Sequence, residues 1–407
     1  MCVLMTRRRA PIGFTASILL WIPAALLVAQ QPFIGPRAAG MAGAQTAVAN
    51  DSTALWANPA GLGLDPKLDV DLFGAALATD RGHMVQSFDV LRVLNPVQLA
   101  GNAVARAAAL SALQSLSGPG VSAIASGVAG LGLSEMGLGI GVGDIAYAAV
   151  YPNVDLVHVL PSTDPVAGFQ LNTSGLTSVG LEARELRVGY AYALYGRTLL
   201  VGATTRYIFG RTYYGHATIF GVGQDNLGSL IAEARKQNEK SSGAFTFDVG
   251  AMLNVASTVR VGIVSTAMTN PKFDVKQSAT NPLLSGAPTF IRIPRTVRAG
   301  ASVTPISALT VALDYDLVPS DTLLPGGKSQ QFSAGAEVKL PILAIRAGLW
   351  RDFKAPDPHW SYAAGFGLHL AMVSVNAALL VSKEGGLNWK SASRRDLGVA
   401  VDGHFRF

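Results

Sequence analysis

Ionisable residues recur at alternate positions along the C-terminal two-thirds of the chain. Arg187, Asp248, Arg260, Arg298, Asp314, Asp316, Glu337, Arg346, Asp402 and Arg406 sit on one parity, and apolar residues occupy the other. Both signs are present, whereas an ion-selective pore usually carries a ring of one sign. Mixed charges brought together neutralise one another, and buried charges persist when paired. The chemistry this set supports is therefore ion pairing inside an enclosed space, with a wide open pore as the less favoured alternative. Catalytic signatures are missing: there is no G-x-S-x-G, H-E-x-x-H, G-x-x-x-x-G-K-[ST] or G-x-G-x-x-G. The run Gly137 to Gly143 alternates glycine strictly with Leu138, Ile140 and Val142, which makes a strand and not a phosphate-cradling turn. His83, His158, His216, His359, His369 and His404 have no metal-ligand spacing, and the lone cysteine is Cys2. No enzymatic activity, metal or cofactor is expected. A triad assembled from distant residues is the one enzymatic alternative.

The elements that hold those charges alternate with period two. Leu186, Val188, Tyr190, Tyr192 and Leu194 oppose Arg187 and Gly189; Leu309, Val311, Leu313, Tyr315 and Leu317 oppose Asp314 and Asp316. At the C-terminus, Leu397, Val399, Val401, Phe405 and Phe407 oppose Asp402, His404 and Arg406. Such a period is a strand with one apolar face. Strands run from 186 onward at 186–194, 198–210, 244–253, 258–268, 291–303, 309–317, 331–339, 342–351, 360–370, 372–381 and 396–407, and earlier ones fall at 68–79, 82–91 and 136–150. They exceed the globular mode of about 5–6 residues and suit a tilted bilayer crossing of about 9–11. Aromatic residues near strand ends (Tyr190, Phe245, Tyr315, Trp360, Tyr362, Phe405, Phe407) suit an interfacial girdle. Connections alternate short and long, as in barrels with short periplasmic turns and long external loops. Lipid cannot satisfy an open sheet edge, so a spanning sheet must close. The expected fold is an all-β transmembrane one: a closed antiparallel barrel of fourteen strands, or sixteen if 155–171 holds another hairpin.

Composition agrees. Charged residues make up 14% of the 407 residues and mean hydropathy is +0.34, against about 25% charged in soluble domains. Yet only one apolar run approaches the ~18 residues of a membrane helix. That run, Ile12 to Ala29, follows Arg7, Arg8 and Arg9 and matches a secretory signal peptide over 1–29, with an uncleaved anchor as the alternative. Cleavage after Ala29 would remove Cys2 and bring the net charge from +6 to about +3, which is no nucleic-acid signature.

Two stretches do not alternate. Residues 30–66 are rich in glycine and alanine and hold a short helix near Trp56 that Asn58-Pro59 ends. Residues 95–130 are alanine-rich and expected to be helical, leaving the barrel on the periplasmic side either into the lumen or beneath it. A further helix is expected at 225–239 within an external loop.

The segment from Gly35-Pro36-Arg37-Ala38-Ala39-Gly40-Met41-Ala42-Gly43-Ala44 through Asn50-Asp51 to Asn58-Pro59-Ala60-Gly61-Leu62 resembles the N-terminal signature of the FadL/PorV-like outer-membrane barrels, a group that includes the TraF-like conjugal-transfer barrels. Pro294 to Arg298 and the closing Phe407 are also similar to that group. The resemblance implies fourteen strands in the bacterial outer membrane, with residues 30–66 as a hatch in which Arg37, Gly40, Gly43, Asn58 and Pro59 are the marked positions. Arg37 is expected to pair with Asp248, Asp314 or Asp316. Phe405 and Phe407 are expected to signal to the barrel assembly machinery. FadL-like members pass small hydrophobic molecules such as long-chain fatty acids; PorV-like members serve protein secretion. The resemblance thus implies a hatch-gated channel for a hydrophobic ligand, or else a non-transporting partner in a secretion or conjugation complex. The 95–130 stretch is an addition to the FadL pattern.

Overall fold

The computed structural model describes residues 33–407 apart from 93–98, 100–101, 159–167, 170, 220–235, 237, 278–286, 325, 357 and 383–395. The expected leader at 1–29 and most of the expected helix at 225–239 lie outside the described residues.

Fourteen strands close into one antiparallel barrel. In chain order they are β1 (Asp69–Arg81), β2 (Ser122–Glu135), β3 (Leu138–Asn153), β4 (Gly175–Leu194), β5 (Leu199–Thr218), β6 (Lys240–Ala256), β7 (Val259–Thr266), β10 (Thr296–Ile306), β11 (Leu309–Asp316), β14 (Gln331–Lys339), β15 (Leu343–Asp352), β16 (Ser361–Leu370), β17 (Val373–Ser382) and β18 (Asp396–Arg406). Each pairs with its neighbours along the chain, and β1 with β18 completes the ring, Asp69 opposite Arg406 and Thr79 opposite Asp396. Two small hairpins, β8–β9 (Lys272–Asp274 with Phe290–Arg292) and β12–β13 (Ser320–Asp321 with Lys328–Ser329), stand in long connections. The first strand begins and the last strand ends at the short-turn end. One two-residue turn there joins β2 to β3 through Met136 and Gly137, both at positive φ (50° and 87°), the geometry that matches the twist of paired strands.

Side-chain direction follows the alternation. Ile140, Leu186, Phe245, Leu313, Phe366 and Val401 are exposed on the outside, while Arg187, Asp248, Asp314, Glu337 and Arg346 are at most 4% exposed inside. A closed sheet with an apolar exterior is what lipid demands. No helix among the described residues is long and apolar enough to cross a membrane.

The second strand departs from expectation. Residues 82–91 are not a strand: Met84–Arg92 is helix α3, because Met84, Phe88 and Leu91 recur at helical spacing and are buried together. The strand is instead Ser122–Glu135, which begins within the stretch 95–130 expected to be helical and runs past its end. Its outward positions begin Ala123, Ala125, Gly127 and Ala129, so its two faces differ little in hydropathy and the period is faint. Helix α4 (Ala103–Leu116) fills the earlier part of that stretch and packs Ala109, Leu113 and Leu116 on α3. The insert consequently leaves from the long-loop end, opposite to the side expected, and lies neither in nor beneath the short-turn end.

Strands β4 and β5 have 20 residues each and β3 has 16, against 8–11 for most others. At about 3.3 Å per residue they run far beyond the bilayer. Their distal halves are buried on both faces, with Ala148 and Tyr213 at 0% exposure on the outward parity. Gly175–Leu194 continues β4 unbroken, and the barrel has fourteen strands, not sixteen.

Candidate functional site

Two short α-helices and a 3-10 turn, α1 (Gly35–Gly40), α2 (Ala54–Ala57) and Pro59–Gly63, fill the barrel interior over the short-turn half. Small residues let this segment touch the wall. A Cβ on Gly40 would stand 3.0 Å from the Arg346 Cβ and 3.2 Å from the Gly365 backbone of β16. Further round, the amide of Asn58 needs Gly250 of β6, since a Cβ there would fall 1.9 Å from its Oδ1. Asn58 Oδ1 accepts from the Ala60 N–H (3.2 Å), and Nδ2 donates to the Thr46 carbonyl (2.8 Å). The Asn-Pro pair thus both ends α2 and ties the segment to itself.

Charges from the wall clamp it. The Arg37 guanidinium donates to both Glu337 oxygens (3.2 and 3.0 Å), to the Val48 carbonyl (3.2 Å) and to Asn50 Oδ1 (2.8 Å). Arg346 donates to the same Glu337 (2.7 Å) and to Asn376 (2.9 Å), which donates to Asp402 (2.7 Å). Asp314 accepts the Gln45 and Thr46 N–H groups (3.0 and 2.9 Å) and the Thr46 hydroxyl (2.6 Å). Arg187 donates to the Leu55 carbonyl (3.0 Å), Glu185 (2.8 Å) and Asp248 (3.2 Å), while Arg206 bonds the same two carboxylates. Arg260 reaches the Ala47 carbonyl (3.2 Å), Asp69 accepts the Ser52 N–H (2.9 Å), and Arg406 and His404 bond Asp69. Arg298 and Asp316 pair with each other (2.7 Å).

Every lumen charge marked in the sequence therefore faces inward, and seven of the ten bond to the N-terminal segment or to a residue that does. Arg37 does not meet Asp248, Asp314 or Asp316; it meets Glu337. Parity shows that a side chain points inward, but not at which azimuth of the barrel, and α1 packs toward β15–β18. Glu185, Arg206 and Asp69 were missed. Glu185 and Asp69 stand at or just beyond the expected edges of their strands, and Arg206 lies on a strand whose two parities (Thr204 and Arg206 against Thr205 and Tyr207) contrast weakly. Phe405 and Phe407 are exposed on the outside at the short-turn end, where Phe407 N–H donates to the Leu68 carbonyl (2.9 Å).

The long-loop half of the interior has the opposite character. Ile124, Ile145, Tyr147, Val179, Leu181 and Ile208 line it, all at most 6% exposed. Phe273 of β8 and Ile291 of β9 descend onto this surface, with Phe273 lying against Gly210 of β5. From below, Trp56 packs edge-on against Phe73 (5.0 Å) and lies under the Arg187 guanidinium (5.2 Å). Where the two halves meet, Trp56, Tyr147 and Ile293 enclose a space of only about 30 Å³. The interior is closed by the N-terminal segment from one side and by the β8–β9 hairpin from the other.

Among known proteins, the family described as "F plasmid transfer operon, TraF, protein" matches residues 55–316, more than half of the chain. No curated protein matches it. Solved structures similar in fold include the CymD monoaromatic hydrocarbon channel, at 14% identity and TM-score 0.53, covering 92% of this chain and 97% of that one. The Ralstonia pickettii toluene transporter TbuX is similar at 13% identity and TM-score 0.52, covering 92% and 98%. A Pseudomonas aeruginosa FadL homologue follows at 12% and 0.52, with the same coverage. At such identities the likeness is one of fold. The chain belongs to the TraF plasmid-transfer family, and its barrel has the fold of the FadL-type channels.

Proposed function

We propose that this barrel is a hatch-gated channel of the bacterial outer membrane for small hydrophobic molecules, seen in its closed state, and that residues 30–66 are the hatch. The observation that carries it is the division of the lumen: an apolar half under the long loops, and a charged half filled by a separate, clamped segment. A water-filled pore keeps a polar interior; an apolar one favours apolar solutes. The structures of similar fold, a monoaromatic hydrocarbon channel and a toluene transporter, support the same class. Long-chain fatty acids fall within it. Export through a cleaved leader and an assembly role for Phe405 and Phe407 complete the proposal.

The test is uptake of radiolabelled toluene and of a long-chain fatty acid by cells whose only such channel is this barrel. In a second arm, Thr46→Cys and Asp314→Cys, which replace two groups 2.6 Å apart, are joined as a disulfide by an added two-electron oxidant such as diamide, and the bond is reversed with dithiothreitol. Uptake that the cross-link stops supports the channel. Equal uptake with and without the barrel overturns it.

A second reading is favoured by the family match and by the closed interior: a non-transporting barrel that serves conjugal-transfer or secretion machinery as a partner. Stoichiometric co-purification with transfer proteins, together with no uptake, supports this one.

A further inference from the structure

The hatch leaves a cavity of about 200 Å³ at the short-turn end, between Gly35–Thr53 and strands β1 and β14–β18, lined by apolar side chains and by charged ones. Charge is unevenly matched around it. Arg37, Lys339 and Arg346 all engage Glu337, and His404 and Arg406 engage Asp69. Asp51 of the hatch, Asp71 of β1 and Asp402 of β18 also line the cavity, and no ion pair joins any of them to a cation among the described residues. Asp51 accepts from Thr53 and Asp402 from Asn376. Asp71 is 2% exposed, and its Oδ1 has no hydrogen-bond partner among the described residues.

Buried carboxyl oxygens in native proteins are almost always satisfied, and an unpaired buried charge is costly. We propose that this cavity is a binding site for an organic cation, a guanidinium or alkylammonium group that enters from the short-turn end and lies among Asp51, Asp71 and Asp402. The three carboxylates do not suit a compact metal ion, because no three His, Cys, Asp or Glu side chains among the described residues stand close enough to share one. A planar guanidinium spans wider separations, offers five donors and matches carboxylates edge to edge. The cation comes either from a free solute or from a basic side chain of a protein on that side of the membrane. This proposal is independent of whether the barrel transports hydrophobic molecules.

The experiment is calorimetric titration of the purified full barrel in detergent with N-acetylarginine amide and with N-acetylcitrulline amide, which has the same shape without the side-chain charge. Saturable binding of the first only, weakened tenfold or more by Asp71→Asn and by Asp402→Asn, is expected, with the loop variant Asp155→Asn unchanged. A short peptide carrying a single arginine separates the two sources: tighter binding than the amide assigns the site to a partner's side chain, and equal or weaker binding assigns it to a free solute. If Asp71→Asn does not fold, Asp402→Asn and the arginine–citrulline difference still decide. No binding, equal binding of the two amides, or wild-type binding by the folded Asn variants overturns the proposal.

Discussion

Glu337 shows how much one side chain holds. It is fully buried and accepts from Arg37, Arg346 and Lys339, so one carboxylate joins the N-terminal segment, the proposed hatch, to two strands. Removing one partner of a buried ion pair typically costs about 3–5 kcal/mol, since the charges left behind stay desolvated. Glu337→Gln is therefore expected to loosen the hatch by about that amount and leave the strand ladders paired. Limited proteolysis should then cut within 33–66 at a rate at least a hundredfold above wild type, while the unboiled protein keeps its fast gel mobility. Asn58 and Gly250 make a second test of the same contact. Gly250→Val puts a branched side chain where Asn58 Oδ1 lies, and the same increase in cleavage is expected. The inward direction of these residues was legible in the sequence, since parity alone dictates it. Their partners were not: Arg37 selects Glu337 over Asp314 because of where α1 lies around the barrel, a tertiary fact that no spacing encodes.

Strands were legible in proportion to the contrast between their faces. β18 sets Val399, Val401 and Phe405 against Asp402, His404 and Arg406, and its extent follows from the sequence within a residue or two. β2 sets Ala123, Ala125 and Gly127 against Ser122, Ile124 and Ser126, and that contrast is too faint to separate it from an alanine-rich helix. α3 failed in the opposite sense, because Met84, Gln86, Phe88 and Val90 also alternate; the burial of Leu91, on helical spacing with Met84 and Phe88, is what distinguishes helix from strand. Two expectations belong to this scale. On the lipid face of β3, Ile140→Arg should lower folding stability in vesicles by about 2–4 kcal/mol, measured by urea titration of tryptophan fluorescence. In the insert, Phe88→Ala removes a buried ring at a cost of about 3–5 kcal/mol. Hydrogen exchange should then rise across 84–116, while β10 to β18 keep wild-type protection.

At the scale of the molecule, the fold divides tasks by height along the barrel axis. The outer belt is apolar, the short-turn half of the lumen holds the N-terminal segment, the proposed hatch, in a network of ion pairs, and the long-loop half offers apolar surface beneath the β8–β9 hairpin. Ion pairs suit the gating proposed for this segment, since several modest contacts can be exchanged one at a time for water or for another charge. An apolar plug of equal area would be held by a burial term of about 25 cal/mol per Å² that has no such stepwise exit. Family membership and the fold were foreshadowed by the Gly/Ala segment and the Asn-Pro-Ala motif; the extension of β3–β5 past the membrane was not, because buried two-sided strands lose their period.

Residues 33–66 fill the short-turn half of the lumen, and planar-bilayer recording tests the closure of the lumen most directly. The wild-type barrel is expected to show no steady ion conductance, and a variant lacking both residues 33–63 and the β8–β9 hairpin, the two closures of the lumen, is expected to open in discrete, long-lived steps. Wild-type channels that conduct as well as the deletion variant would contradict a closed lumen and the gating built on it.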